Sequence, residues 1–493
     1  MRTGVSEWSA YGKLMIIIGA LIAVPLSVLL FYPEEAGYWL SFLAPALFSA
    51  VSGALILLIS KKRKKPENDD YIRSKSTGLI VLFAWLWGCA VGALPYYLGD
   101  QLTGIQSVFE SVSGWTTTGL TVSDVAVMPH IFLFYRSFTQ YCGGLGFVLV
   151  MVMIVSEKQA MNLFEGEGHS DKLMPNLKKT ARAIFLMYSG FLVVGTVLYR
   201  IAGMKVFEGI LHTMSALSTA GFSTRAGSIG EYGSFGIELV TIFLMLIGIT
   251  NFGVLMLCVK GKFRQVFRLS EIRFMGLFLG ASIAVVSASL YVYNDMGIFD
   301  SIRAASLNTL SALSTTGYST LSMDVYSPFA LGIIIIAMLV GGGMGSTAGG
   351  LKLIRTYILL KMGMANIKRR INSRRQVDAM YYKKIQGKTL VDASLMSDVT
   401  GFAITYFIVY IAGSLLLCLT AGCGLEEGLF EFAAAFSTSG LSMGVTGTHT
   451  PSAALIVEMI GMILGRLEIF IVLTGICSFI SMSKEKVIRK LRK

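Results

Sequence analysis

Charge is scarce in these 493 residues: Asp, Glu, Lys and Arg make up 14% of the chain, against 54% hydrophobic, and the mean hydropathy is +0.67. So little charge excludes an ordinary soluble enzyme. Cysteine is scarce as well. The six (Cys89, Cys142, Cys258, Cys418, Cys423 and Cys477) lie mostly in apolar segments with no CxxC pair, so neither a zinc site nor a disulfide framework is expected and buried free thiols are. None of the four histidines stands in HExxH or another ligand spacing. A membrane enzyme needs a nucleophile or metal cluster within its helices, and these scattered residues supply none. No GxGxxG unit follows a strand, and the glycine-rich tract Gly341–Gly350 lacks the GK[ST] ending of a phosphate-binding loop.

What the chain does have is apolar runs of 18 or more residues throughout, the mark of a polytopic membrane protein built of helices. The first run, near Leu14–Phe31, is read as a retained span because another follows at once. The net charge of +13 would suggest nucleic acid in a soluble domain. Here it reports topology instead. Its clusters at 61–65, Lys178 to Arg182, Lys260 to Arg273, Lys361 to Arg375 and Lys484 to Lys493 all fall where loops are cytoplasmic if the N-terminus is inside. The opposite loops carry Glu34, Glu35, Asp100, Asp124, Glu231, Asp295, Asp324, Glu426 and Glu427.

One phrase occurs four times. Ser311-Ala-Leu-Ser-Thr-Thr-Gly317-Tyr-Ser-Thr320 is nearly repeated by Ser215–Thr224, and Ser113–Thr121 and Ala435–Ser442 keep the hydroxyl run, the single Gly and the apolar residue after it. The glycines recur roughly every 100 residues, an internal repeat much longer than a solenoid period. Ser and Thr are uncharged and Gly permits backbone that other residues avoid, which leaves carbonyl oxygens as the main polar resource. Four converging rows of carbonyls would cage a dehydrated monovalent cation. Close helix packing by small residues is the competing reading.

Around these phrases a unit repeats. After a peripheral hairpin (about 13–31 and 39–60), each unit has a span, a segment too short to cross, the phrase and a second span. The expected spans are 77–97 and 131–156, 182–202 and 236–259, 273–293 and 328–360, and 398–420 and 452–482. The expected half-helices are 104–115, 206–217, 300–313 and 427–436. The fold class is therefore an all-α polytopic membrane protein: ten spans and four re-entrant segments, the four units in pseudo-fourfold arrangement around one pore. Its divisions fall at 1–70, 71–160, 161–260, 261–375 and 376–493. Stretches 157–181 and 363–397 read as basic cytoplasmic linkers available to a partner.

The half-helices share one polar position, Glu110, His212, Asn308 and Glu431, read as a hydrogen bond to a neighbouring helix in preference to a cation attractor at the mouth. Each second helix is weakened by glycine: Gly143, Gly144 and Gly146; Gly248 and Gly253; Gly341, Gly342, Gly343, Gly345, Gly349 and Gly350 with Ser346 and Thr347 among them; Gly461 and Gly465. Each glycine costs about 1 kcal/mol relative to Ala, so the third tract is expected to leave the helix as an intramembrane loop. Arg466, in Gly465-Arg466-Leu467-Glu468-Ile469-Phe470, is a charge inside an apolar run and a candidate functional residue, with Glu458 a possible partner.

Four span, half-helix, span units, one Gly per phrase, the broken third-unit helix and GRLEIF together resemble the Trk/Ktr/HKT potassium transporter superfamily, and the extra hairpin resembles its TrkH/TrkG-type membrane subunit. The resemblance implies a K+ filter at Thr117, Thr118, Gly119, Thr219, Ala220, Gly221, Thr315, Thr316, Gly317, Thr438, Ser439 and Gly440. It also implies a gate at Gly341, Gly342, Gly343, Gly345, Ser346, Thr347 and Arg466. Further implications are a homodimer in the bacterial inner membrane with both termini cytoplasmic, lipid around it, and a separate cytosolic NAD/ATP-binding regulatory ring of the TrkA kind. K+ is then the substrate ion, with no cofactor, no catalytic residues and no nucleic acid. A Na+-permeable or ion-coupled transporter and a K+-sensing receptor remain alternatives.

Overall fold

The structure is a computed structural model that describes residues 5–61, 70–145, 177–371, 379–467, 469, 470, 472 and 473. The chain opens with α1 (Val5–Ala23), continued by a tighter helical turn at Val24–Leu30, and returns as α2 (Trp39–Lys61). Small residues bring this pair together: a Cβ on Gly12 would come within 2.7 Å of the Gly53 carbonyl oxygen.

The first unit is α3 (Asp70–Leu98), α4 (Gly104–Trp115) and α5 (His130–Leu145). The second is α6 (Leu177–Ile201), α7 (Val206–Leu217), α8 (Phe235–Ile249) and α9 (Phe252–Val259), with a 116° bend between the last two. A short α10 (Phe263–Val266) leads to the third unit: α11 (Ser270–Tyr293), α12 (Ile298–Ser314), α13 (Pro328–Val340) and α14 (Leu353–Ile371). The fourth is α15 (Ala393–Ala421), α16 (Leu425–Phe436) and α17 (Ser452–Arg466).

Among the described residues, six single helices are long and apolar enough to cross a membrane: α1, α2 and the leading helices α3, α6, α11 and α15. A lone helix satisfies its own backbone in hydrocarbon, so a long apolar run suffices. Two of the ten expected spans are broken, the one in the third unit as expected. The 236–259 segment breaks at Thr250 and Asn251, and the 328–360 segment divides around Gly341–Lys352, as its glycines require. The ends of the 131–156 and 452–482 segments lie outside the described residues. The half-helices α4, α7 and α16 have 12 residues each and α12 has 17. At 1.5 Å per residue these reach about 18 and 26 Å, short of the roughly 30 Å apolar slab.

One expectation is corrected. The 363–397 stretch is not a bare linker: α14 runs on to Ile371, and β1 (Tyr381–Lys384) pairs antiparallel with β2 (Gly387–Leu390). Alternation explains the hairpin, since Tyr381 is exposed while Tyr382 is buried, and Met380, Tyr382 and Val391 form a small apolar cluster with Ile354, Ile358 and Val399. Most of 157–181 lies outside the described residues.

Glycines on the second helices set how closely they cross the half-helices. A Cβ on Gly143 would overlap the carbonyl oxygen of Trp115, and one on Gly465 that of Phe436, the last residues of α4 and α16. Close packing is thus the role of these two. Gly465→Ala is expected to lower stability by about 1–3 kcal/mol or more through overpacking. Gly401→Ala, in open space on α15, should be neutral or stabilising by up to about 1 kcal/mol. Thermal unfolding in detergent compares them, and equal effects would remove the crossing contact.

Candidate functional site: a ring of glycines and carbonyls

The four phrases meet. A Cβ on Gly119 would overlap the carbonyl oxygen of Ala220, one on Gly221 that of Thr316, one on Gly317 that of Ser439, and one on Gly440 that of Thr118. The series runs from unit one through two, three and four and back to one, so it closes on itself. A side chain at any of these glycines would enter a ring of four backbone oxygens.

Backbone conformation repeats with the same order. Thr117, Thr219, Thr315 and Thr438 have φ of 56°, 52°, 54° and 56°, and Gly119, Gly221, Gly317 and Gly440 have 93°, 74°, 90° and 77°. The residue between them, Thr118, Ala220, Thr316 or Ser439, is not left-handed. In a strand, successive carbonyls point opposite ways; alternating hand turns them toward the same side. A left-handed threonine is costly and is held only where its surroundings fix it.

The hydroxyls of the phrases serve largely as that fixing. Ser113 Oγ donates to the Leu120 carbonyl (2.6 Å) and accepts from Gly119 N–H (3.1 Å), and Ser314 Oγ meets Thr316 Oγ1 at 2.7 Å. The shared polar position on the half-helices is wholly buried and pins the strand leaving the ring. Glu110 accepts from Thr121 and Val122, His212 pairs with Ser223, Asn308 bonds Thr320 both ways, and Glu431 accepts from Ser442, Met443 and Thr446. These groups are structural anchors, but the neighbouring helix expected as partner is met by Glu110, through Arg136 on α5, while the contact all four share is to the strand of their own unit. Each half-helix ends within four residues of its glycine, so the partial negative charge of its C-terminus is directed at the ring's inner side.

The tract Gly341–Gly350 lies against that side. Gly349 N–H donates to Thr315 Oγ1 (2.8 Å), Thr347 Oγ1 donates to the Leu217 and Gly248 carbonyls (both 3.1 Å), and a Cβ on Gly349 would overlap the Ser437 carbonyl. Ser346 Oγ donates to Gly343 O (2.6 Å). The tract also joins the break in unit two: Gly343 N–H donates to Ile249 O (3.0 Å), Phe252 N–H to Gly345 O (3.2 Å), and Asn251 Nδ2 to Met344 O.

Arg466 closes the arrangement from the fourth unit. Its Nη1 donates to the Thr347 carbonyl and its Nη2 to the Gly143 carbonyl, both at 2.6 Å, and the guanidinium lies 5.8 Å from the Trp85 ring. The structure thus brings together every expected residue of both sets: the ring, the tract and the arginine. Glu458 is not its hydrogen-bond partner; its Oε1 accepts from Thr446 Oγ1 at 2.8 Å. Glu468 lies outside the described residues.

Residues 46–486 match the family described as TrkH, cation transport protein. The chain belongs to this family. It is 30% identical over 94% of its length to an uncharacterized cation transporter of Methanocaldococcus jannaschii, covering 93% of that protein. It is also 30% identical to the Trk system potassium uptake protein TrkH of Halomonas elongata, covering 94% of this chain and 96% of the other. The crystal structure of the potassium transporter TrkH from Vibrio parahaemolyticus superposes with a TM-score of 0.83 at 26% identity, covering 95% of this chain and 97% of that one. A TrkH-family chain is a membrane transporter of ions and not an enzyme.

Two residues that this TrkH-family chain places beside the ring escaped the sequence reading. Arg136 on α5 is 1% exposed; its Nε donates to Glu110 at 2.7 Å, its Nη2 to Thr121 Oγ1 at 2.8 Å and its Nη1 to the Ser223 carbonyl at 3.4 Å, with Phe222 stacked 3.9 Å away. It ties the first unit's strand to the second's. Gln140, one turn on, donates to the Ala220 carbonyl (2.6 Å) and accepts from Ser215 Oγ (2.6 Å). The signal was present, since an arginine in the apolar run at 131–156 invites the same question as Arg466. Arg136→Gln should cost about 3–5 kcal/mol by stranding the Glu110 carboxylate, and adding Glu110→Gln should recover part of it. Thermal midpoints of the single and double variants check this; strictly additive losses would dissolve the pair.

Proposed function

We propose that this protein takes up K+ across the inner membrane of a bacterium through one pore per chain, with the ring at Gly119, Gly221, Gly317 and Gly440 as its selectivity filter. The single observation that carries the reading is the closed series of glycine and carbonyl contacts, which offers backbone oxygen in place of a hydration shell. The buried hydroxyls of Thr117, Thr438 and Ser439, which have no hydrogen-bond partner among the described residues, add polar atoms an ion or its water would satisfy. The membrane potential supplies about 2.3 kcal/mol per charge per 100 mV, so no acid–base machinery is required.

Gating falls to Gly341–Gly350 with Arg466. The tract occupies the path below the ring, and the guanidinium both holds it through Thr347 and repels a cation there. The division into a hairpin and four pore units belongs to this reading, as do a homodimer, cytoplasmic termini and a cytosolic nucleotide-binding ring as regulator. The basic clusters at Lys260 to Arg273 and Lys361 to Arg375 favour that orientation. K+ is the substrate and no cofactor is invoked.

A second reading, a pore that also passes Na+, has one observation in its favour. The Ala220 carbonyl is engaged by Gln140, so the four oxygens are not equivalent. A cage with one oxygen held aside discriminates less sharply between ions.

Gly317→Ser is expected to lower K+ over Na+ discrimination tenfold or more, on the order of 1.4 kcal/mol, in proteoliposome flux; unchanged discrimination removes the filter assignment. Arg466→Ala should raise K+ flux severalfold. A folded variant with wild-type or lower flux would remove the arginine from the gate.

A further inference from the structure

The last turn of α15 and the cap that ends it hold a pair of thiols, Cys418 and Cys423, that neither the filter nor the gate uses. The helix ends because Gly422 takes φ 70°, and its N–H donates to the Cys418 carbonyl at 2.9 Å. In such a left-handed cap, the residue just past the glycine folds back over the residue four before it. Here those two positions are Cys423 and Cys418, which the left-handed turn at Gly422 sets beside each other. Cys418 Sγ also donates to the Gly424 carbonyl at 3.5 Å and packs against Gly428. Gly424 and Gly428 are the N-cap and first turn of α16, so the pair sits where the fourth leading helix enters its half-helix. Both thiols are free and partly exposed, whereas Cys89 is buried.

We propose that Cys418 and Cys423 form a redox-active dithiol on the outer face, which closes to an intramolecular disulfide by exchange with an extracytoplasmic disulfide compound. The step balances: one thiolate attacks the external disulfide and releases a thiol, the second thiolate displaces the other, and two S–H bonds and one external S–S bond become one internal S–S bond and two external thiols. The chain is oxidised by two electrons and the external compound reduced by two. The outer location rests on the orientation proposed above, in which Glu426 and Glu427 line an outer loop. Burial, with Cys418 and Glu427 nearby, pushes the Cys423 thiol up to about 11. Cys423 is therefore slow to react, and its exchange quickens as pH rises. The product is a covalent staple across the cap.

The test uses the full-length protein. In detergent at mildly alkaline pH, oxidised glutathione should remove two alkylatable thiols per chain, with a mass loss of two hydrogens and a cross-linked peptide joining Cys418 to Cys423. Either Cys418→Ser or Cys423→Ser should abolish the cross-link and leave a glutathione adduct on the remaining cysteine. Two thiols that stay alkylatable, or glutathione on both without closure, would overturn the dithiol. In intact cells, a membrane-impermeant maleimide should label Cys423 and spare Cys258, as mapped by peptide mass. The reverse pattern would overturn the orientation while leaving the detergent result to stand alone.

Discussion

Everything in this molecule depends on four places where an alpha carbon without a side chain lies against a neighbouring unit's carbonyl oxygen. At Gly119, Gly221, Gly317 and Gly440 even one methyl group would collide with backbone, which does not yield as the tip of a flexible side chain does. The contacts form a single circuit, so each unit positions the next. The half-helices, the left-handed threonines and the buried anchors hold strands that would otherwise repel one another through their aligned oxygens. A preformed concentration of negative potential has to be enforced by the surrounding fold, because nothing within the circuit attracts its members.

The enforcement is uniform in geometry and varied in chemistry. One carboxylate, one imidazole, one amide and a second carboxylate do the same job at Glu110, His212, Asn308 and Glu431, each reaching the strand eleven or twelve residues on. Bracing between units is uneven: Arg136 and Gln140 reach from the first unit to the second, and Tyr318 of the third donates to the Phe222 carbonyl of the second at 3.2 Å. The second unit's strand is thus the most heavily tied.

The leading helices were legible because long apolar runs allow few alternatives, and the half-helices because their lengths fall short of a membrane. Repetition made the ring legible: one Ser/Thr-Gly phrase is compatible with ordinary close packing, four in register are not. Glycine density located the break at Gly341, and an arginine in an apolar run located its companion. Pattern gave no access to pairings across distant units. Arg136 meeting Ser223 and Gln140 meeting Ala220 follow from how units face each other, and Glu458 meeting Thr446 instead of Arg466 from how the fourth unit folds on itself. The strand pair at Tyr381–Leu390 was obscured by its charge, since a two-residue alternation amid lysines reads as solvated chain until Tyr382 finds its apolar neighbours.

The breaks in units two and three repair each other. Donors and acceptors left over where the α8–α9 helix bends, Ile249 O, Asn251 Nδ2 and Phe252 N–H, are taken up by Gly343, Met344 and Gly345 of the tract. These groups are one another's partners, so neither segment withdraws alone without leaving donors and acceptors unmatched. Any displacement of the tract would for this reason be a swap of partners shared with the break at Thr250, in two segments that are almost a hundred residues apart in the chain.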